Sequence, residues 1–104
     1  MIKRCNSLDE VRQNIDRIDE ELVKLIAKRS LFVSQAAQFK NSVDDVTSLQ
    51  RVDAVIDKVK VLSADLGLNP SITEKVYRTM INAFTEEELI TFDTRYKAIK
   101  ESYY

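Results

Sequence analysis

The chain has 104 residues, a formal net charge of −1 at pH 7, and a composition that is 44% apolar and 32% charged. Its length predicts a single domain, 1–104, and its near-zero charge provides no basic field of the kind that binds nucleic acid. With one Gly, one Pro and no His, the composition favours long helices and lacks the commonest general base and the commonest metal ligand, so we expect no metal site.

The two ends of the chain carry few signals. The N-terminal segment has no apolar signal core, and the apolar runs are too short to span a membrane. We therefore expect a cytoplasmic protein that does not bind a membrane. Cys5 has no second cysteine to pair with, and it is expected to be an exposed thiol in a frayed terminus.

The first predicted helix begins at a capping box. Ser7 can accept a hydrogen bond from the backbone N–H of Glu10, while the Glu10 side chain reaches back. From Leu8 onward, apolar residues recur at intervals of three and four as far as Phe39. Such a helix would be nearly ~50 Å long, whereas a globule of this size has a radius of gyration of ~13 Å. We expect a second copy of the chain to cover its far end.

The second predicted helix follows a polar stretch. Either Thr47 or Ser48 can cap its N-terminus. Gly67 suits the position after its last turn, and Leu68 provides the hydrophobic residue that often follows. The predicted core-facing residues are Leu49, Val52, Val55 or Ile56, Val59, Leu62 and Leu66.

The third predicted helix has Asn69 as its N-cap and Pro70 as its first residue. Its C-terminal tyrosines either fray or pack on a partner, and the sequence leaves both options open. The predicted apolar stripe is Tyr77, Ile81, Phe84, Glu88, Phe92, Tyr96, Ile99 and Tyr103, widened by Val76, Met80 and Ala83.

Charged residues occupy positions on two of these stripes that should be apolar, namely Arg29 in the first helix and Glu88 in the third. Burying a guanidinium without a partner is costly. One explanation is a structural ion pair of Arg29 with Glu88 or Asp53, or an arginine that extends to the surface. The other is a site for an anionic ligand, because the planar guanidinium binds a carboxylate at two points.

Three more cations are candidates for the same site. Lys40 follows Arg29 by eleven residues on nearly the same helical face, and Arg51 begins the second helix. Arg12 precedes Arg29 by seventeen residues, about 25 Å along one helix, so the two cannot bind one small molecule from the same chain. In an antiparallel dimer, Arg12 of one copy could approach Arg29 of the other. A cationic site without histidine suits a dianionic substrate whose reaction needs no proton transfer.

Four segments carry a resemblance to a known family: "SLDEVRQNIDRIDEELVKLIAKR", "AAQFK", "QRV" and "GLNPSITEKVYRTMINAFTEEELI". Over about residues 7–92 the chain resembles the all-helical chorismate mutases. The resemblance implies an all-α fold of three helices, one very long, in an intertwined homodimeric helical bundle with two identical sites. It also implies the Claisen rearrangement of chorismate to prephenate in aromatic amino acid biosynthesis, with no cofactor and no covalent intermediate.

The resemblance also implies roles for individual residues. Arg12 would enter from the partner subunit and bind one carboxylate, and Arg29 would hold a carboxylate as well. Lys40 and Glu88 would donate hydrogen bonds to the ether oxygen of the breaking bond, and Arg51 would support the carboxylate end. The residues predicted to bind this small dicarboxylate are Arg12, Arg29, Lys40, Ser48, Arg51, Val52, Phe84 and Glu88, of which Lys40, Glu88 and Arg29 are predicted to be catalytic.

Three positions divide the resemblance between two activities. Val52 and Ser48 stand where many members have acids, and Val52 is more similar to the isochorismate–pyruvate lyase branch, which yields salicylate and pyruvate. Glu88 occupies a position where that lyase is expected to have Gln. A carboxylate cannot donate a hydrogen bond, so Glu88 would have to be protonated to serve the ether oxygen. Mutase activity is the main prediction, with the lyase and a non-catalytic helical dimerisation or regulatory module as alternatives.

Overall fold

The structure, a computed structural model, describes residues 2–43 and 47–102, with the backbone alone for Phe92 and for residues 95–102. These residues form three α-helices and no strand: α1 Leu8–Ala37, α2 Leu49–Asp65 and α3 Pro70–Ser102. The predicted all-α class is confirmed. In the described part of the chain, no helix has the length and apolar character needed to cross a membrane. The chain divides into two compact units, Met1–Gln35 and Ala36–Tyr104.

The N-terminus of α1 has the predicted capping interactions. The Ser7 hydroxyl accepts from the Glu10 backbone N–H at 3.1 Å, and the Glu10 carboxylate accepts from the backbone N–H of Asn6 at 2.9 Å. The first bond satisfies a donor that the helix start leaves without an intrahelical partner, and the second ties the residue before the N-cap to the first turn. Asp9 and Glu10 also place negative charge in the first turn, where it interacts favourably with the positive end of the helix dipole and stabilises the helix.

Cys5 is not the exposed thiol that was expected. It is half-buried, and its sulfur accepts a hydrogen bond from the side-chain amide of Asn14 at 3.3 Å. The same amide donates to the Glu10 carbonyl at 2.9 Å. Asn14 therefore ties the segment before α1 to the second turn of the helix, an interaction that composition alone does not indicate.

The apolar stripe of α1 is largely uncovered in the single chain. No residue of α1, which is described over its whole length, is buried. Within α1, the exposed fraction along the stripe runs from 39% for Val11 to 64% for Phe32. The periodicity predicted from the sequence is present, but nothing in the first unit packs on it. The other exposed large apolar residues of the predicted stripe are Leu8, Ile15, Ile18, Leu22, Leu25 and Phe39.

The end of α1 differs from the prediction, which extended the helix to Phe39. The helix ends at Ala37, and Phe39 and Lys40 donate backbone hydrogen bonds to the carbonyls of Ala36 and Ala37, respectively. Such i to i−3 bonds tighten and close a last turn. The next residue is Asn41, whose side chain favours non-helical conformations. Lys40 therefore lies after the helix and not on its face.

The starts of α2 and α3 follow their predicted caps. Ser48 is the N-cap of α2 and accepts from the Arg51 backbone N–H at 3.3 Å. The Asn69 side chain accepts from the Ser71 backbone N–H at 3.0 Å, with Pro70 as the first residue of α3. Each cap satisfies a backbone donor in the first turn of its helix.

The end of α2 is a Schellman motif. Gly67 has φ 77 and donates to the Ala64 carbonyl at 3.1 Å, and Leu68 donates to the Ser63 carbonyl at 2.9 Å. This is the arrangement that the Gly-Leu pair predicts, since glycine adopts the left-handed conformation without the strain of a Cβ.

The face of α2 that packs on α3 matches the prediction in part. Ile56 and Val59 are buried as predicted, whereas Leu66, another predicted core residue, is 83% exposed. The prediction missed the third buried residue, Ser63, because a serine is buried only with its hydroxyl satisfied. That hydroxyl donates to the Leu68 carbonyl at 3.1 Å and lies 2.6 Å from the Thr73 hydroxyl. Two other predicted core residues, Leu49 and Leu62, are exposed as well.

The predicted stripe of α3 is confirmed over its first half. Tyr77, Ile81, Phe84 and Glu88 are all half-buried. Of the three residues expected to widen the stripe, Met80 is half-buried, but Val76 and Ala83 are exposed, so the apolar face is narrower than predicted. The stripe residues Phe92, Tyr96, Ile99 and Tyr103 lie outside the described side chains, as does Tyr104.

A second polar contact joins α2 and α3 next to the Ser63–Thr73 pair. The Glu74 carboxylate accepts from Lys60 on α2 at 3.2 Å and from Arg78 on its own helix at 3.0 Å. The hydrogen bond from Arg78, followed by the one from Lys60, lowers the pKa of Glu74 from its ordinary value of 4.5. A lowered pKa means that the folded chain favours the ionised carboxylate.

Glu74 should make the hairpin of α2 and α3 less stable in acid. Because folding lowers its pKa, its contribution is present above the unfolded value of about 4.5 and is lost as pH falls through the folded value. We expect Glu74→Gln to lower the free energy of unfolding near neutral pH and to have a shrinking effect as pH falls. Denaturant unfolding of both proteins across this range, at one protein concentration, measures the difference. Glu86→Gln, at an exposed carboxylate of α3, is the control; an equal pH-dependent loss there would contradict this role.

Candidate functional site

The candidate site is centred on an ion pair between the segment after α1 and the third helix. The Lys40 ammonium donates to both carboxylate oxygens of Glu88, at 2.9 and 3.1 Å. The Glu88 side chain is only 8% exposed and that of Lys40 is 27% exposed. Desolvating a charge at such a position requires a partner, and this short two-point contact supplies one.

The register of α2 against α3 places more of the predicted residues at the same end of the second unit. Glu88 follows Thr73 by fifteen residues, and Ser48 precedes Ser63 by fifteen. Since Ser63 and Thr73 are in contact and the helices run antiparallel, Glu88 and Ser48 lie at the same level, about 22 Å along the hairpin.

Val52 and Phe84 lie about one helical turn closer to the connection between α2 and α3. Val52 follows Ser48 by four residues on α2, and Phe84 precedes Glu88 by four residues on α3. Both side chains are half-buried, as is Ser48, whereas Arg51 is exposed. Six of the eight predicted binding residues therefore belong to this end of the second unit: Lys40, Ser48, Arg51, Val52, Phe84 and Glu88.

The other two predicted residues, Arg12 and Arg29, belong to the first unit. Arg12 is exposed on α1 and Arg29 is half-buried. Their separation of seventeen residues along one continuous helix corresponds to about 25 Å. Within one chain they cannot both contact one small ligand, and the contribution of Arg12 to the partner subunit stays a prediction.

The pairing of Lys40 with Glu88 was not predicted. The sequence marked both residues as candidates and proposed Glu88 as a partner for Arg29. The available signal was the position of Glu88 on the core-facing stripe of α3, which requires a buried cation nearby. The identity of that cation could not be read from helical spacing, because Lys40 lies beyond the end of α1.

This arrangement can bind and stabilise an anion, but few of its groups can transfer a proton. Lys40 offers ammonium hydrogens at a partly desolvated position, where a charge-assisted hydrogen bond is stronger than in water. Among the described residues, no group of three or more His, Cys, Asp and Glu side chains could hold a metal ion. The cation at this position can orient an anionic ligand and stabilise its charge.

Comparison with known proteins gives a consistent result. Residues 11–89 match the family model of chorismate mutase type II. The chain is 27% identical over 85 residues to an isochorismate pyruvate lyase of Pseudomonas aeruginosa, a match that covers 82% of this chain and 84% of the relative. It is also 28% identical over 75 residues to a chorismate mutase of Methanocaldococcus jannaschii, covering 71% of this chain and 76% of the relative.

Proposed function

Because this chain belongs to the chorismate mutase type II family, as its sequence predicted, we propose that it rearranges chorismate to prephenate. The family model and the archaeal relative support chorismate mutase activity, which is an isomerase reaction. The observation that carries the proposal at the level of the site is the pairing of Lys40 with Glu88, since it holds a cation at a partly buried position where the predicted mechanism needs one.

The proposed reaction is intramolecular and needs no external reagent. The ether C–O bond of the substrate breaks while a new C–C bond forms, and negative charge grows on the ether oxygen in the transition state. Lys40 donates a hydrogen bond to that oxygen, and Glu88 in its protonated form donates a second. Preorganised donors stabilise developing charge without reorganisation, which is commonly the largest contribution to catalysis.

The arginines position the two carboxylates. Arg29 binds one of them and Arg12 of the partner subunit binds another, while Arg51 supports the carboxylate end. Bidentate contacts from planar guanidinium groups fix orientation as well as position. A substrate bound in a compact conformation has already lost its conformational freedom before the reaction begins. That loss therefore does not add to the activation barrier.

We infer that the active form is a homodimer in which the long first helices pair. The exposed stripe of α1 supports this assembly: Leu8, Val11, Ile15 and Ile18 recur at three- and four-residue intervals and remain uncovered in the single chain. Burying one such side chain fully contributes about 1.5–3 kcal/mol, so a paired stripe would be strongly stabilising. The same pairing would bring Arg12 of one subunit to the site of the other.

A lyase reaction on isochorismate is the second candidate. Val52 supports it, because a half-buried apolar side chain stands where many mutases have an acid. The Pseudomonas relative named isochorismate pyruvate lyase is similar to this chain over 85 residues. Both reactions are pericyclic and use the same cations, so the choice depends on the ring substituents that each substrate presents to this end of the site.

Offering the two substrates separately tests the proposed function. We expect purified protein to convert chorismate to prephenate, with a higher kcat/KM than for any release of salicylate and pyruvate from isochorismate. The products are distinguished by their absorbance and fluorescence. Salicylate formation at the higher kcat/KM would favour the lyase, and no turnover of either substrate would favour a non-catalytic helical module.

A further inference from the structure

A buried hydroxyl pair joins α2 and α3 at the end of the hairpin that is remote from the candidate site. Ser63 is 4% exposed, and its hydroxyl donates to the Leu68 carbonyl at 3.1 Å. That bond uses the only hydrogen of the Ser63 hydroxyl, so the Thr73 hydroxyl, 2.6 Å away, is the donor in the contact between the two side chains. Both bonds therefore have a fixed direction, and they tie α2 to the connection and to the first turn of α3.

The hydroxyl pair lies on the same helical faces as two residues of the candidate site. Val52 precedes Ser63 by eleven residues on α2, and Phe84 follows Thr73 by eleven residues on α3. Eleven residues make about three turns of an α-helix, or about 16 Å, so each site residue points to nearly the same side as the hydroxyl on its own helix. The alignment of the helices at the hydroxyl pair therefore sets how Val52 faces Phe84.

Apolar packing alone does not select this alignment. Leu62, which directly precedes Ser63, is 50% exposed, and Leu66 is 83% exposed. Consecutive helical residues point about 100° apart, so turning α2 about its axis to bring Leu62 toward α3 would break the Ser63 hydrogen bonds. Hydrogen bonds depend on direction, whereas burial of apolar surface does not. The neighbouring Lys60–Glu74 contact is longer and more exposed, and such ion pairs constrain geometry less.

We propose, on the basis of the proposed function, that Ser63 and Thr73 are positioning residues for the reaction. Their hydrogen bond holds α2 in one orientation against α3, which keeps Val52 level with Phe84, one turn from Glu88. The pair itself has no contact with the substrate. Its loss should lower kcat with little change in KM, because the two arginines assigned to the substrate carboxylates belong to the first unit and not to the hairpin.

Substitutions at the pair test this role by steady-state kinetics with chorismate on the whole chain. Thr73→Val keeps the shape of the side chain but removes the donor, and it should lower kcat by about 10-fold, since a misplacement of ~1 Å caused far from the chemistry can cost ~10²-fold. Ser63→Ala removes both hydrogen bonds and should lower kcat further. Thr73→Ser keeps the hydroxyl on a smaller side chain and should keep kcat near the wild-type value.

Val59→Ala separates positioning from stability. Val59 is 8% exposed and precedes Ser63 by one turn, so its truncation destabilises the hairpin but leaves the hydroxyl pair in place. Its kcat should stay near the wild-type value at a temperature where circular dichroism shows every variant to be folded. Wild-type kcat in Thr73→Val, or an equal loss in Val59→Ala, would overturn the positioning role and leave the proposed function in place. No turnover of chorismate by the wild-type chain would contradict the proposed function, and the positioning role with it.

Discussion

Replacing Lys40 with alanine is expected to lower kcat/KM for chorismate by about 10²–10³-fold, the range seen when one preorganised donor to a developing negative charge is removed. The effect should fall mainly on kcat, because Lys40 acts where charge develops in the transition state. Steady-state kinetics measures it. Lys24→Ala is the control, since Lys24 forms exposed pairs with Glu20 and Glu21, which contribute little.

The same substitution also removes the direct partner of a largely buried carboxylate. Leaving Glu88 without Lys40 should lower stability, so folding of the variant is checked by circular dichroism. Lys40→Gln provides a second test, because its neutral amide can still donate to Glu88 while the charge is lost. A folded Lys40→Ala or Lys40→Gln protein with nearly wild-type kcat/KM would contradict the role of Lys40.

Replacing Arg12 with alanine should lower kcat/KM by about 10²-fold, the loss expected for one charge-assisted, two-point contact with a carboxylate. We expect a higher KM together with a lower kcat, since Arg12 both binds and orients the substrate. Kinetics with chorismate measures both constants. Arg17→Ala, at another exposed arginine of α1, should leave them unchanged. Equal losses in the two variants would contradict a specific role for Arg12.

The local features of the fold were predictable because they depend on a few neighbouring residues. The Ser7 and Ser48 caps and the Asn69–Pro70 start are each fixed by short side-chain-to-backbone hydrogen bonds. The turn at Gly67 is fixed by a conformation that glycine readily adopts. These signals can be read within four residues of sequence, and the structure has them where they were predicted.

The features that failed depend on partners distant in sequence. Periodicity favoured Leu66 as a core residue, but the structure buries Ser63 and exposes Leu66. Ser63 can be buried because its hydroxyl forms a hydrogen bond with the hydroxyl of Thr73. Periodicity also gave no indication that Lys40, which lies after the end of α1, pairs with Glu88. In both cases the missing information is a tertiary polar contact, which a helical pattern does not contain.

The candidate site was predictable in its residues but not in its contacts. Charges on apolar stripes marked Arg29 and Glu88, helical spacing from Arg29 added Lys40, and the family resemblance added Ser48 and Val52. The sequence could not indicate that Glu88 pairs with Lys40, since that contact spans forty-eight positions. The proposed contribution of Arg12 depends on a second subunit. Spacing along one chain suggests this only indirectly, because it shows that Arg12 and Arg29 of the same chain are too far apart to bind one small ligand.

Mixing two impaired variants is the most direct test of a site shared between subunits. Arg12→Ala and Lys40→Ala are each expressed alone and are also co-expressed, so that mixed dimers form. If Arg12 serves the partner's site, each mixed dimer has one intact site, and a statistical mixture should recover ~25% of wild-type activity. If Arg12 and Lys40 act within one chain, every site keeps a defect, and activity no higher than that of the separate variants would contradict the shared site.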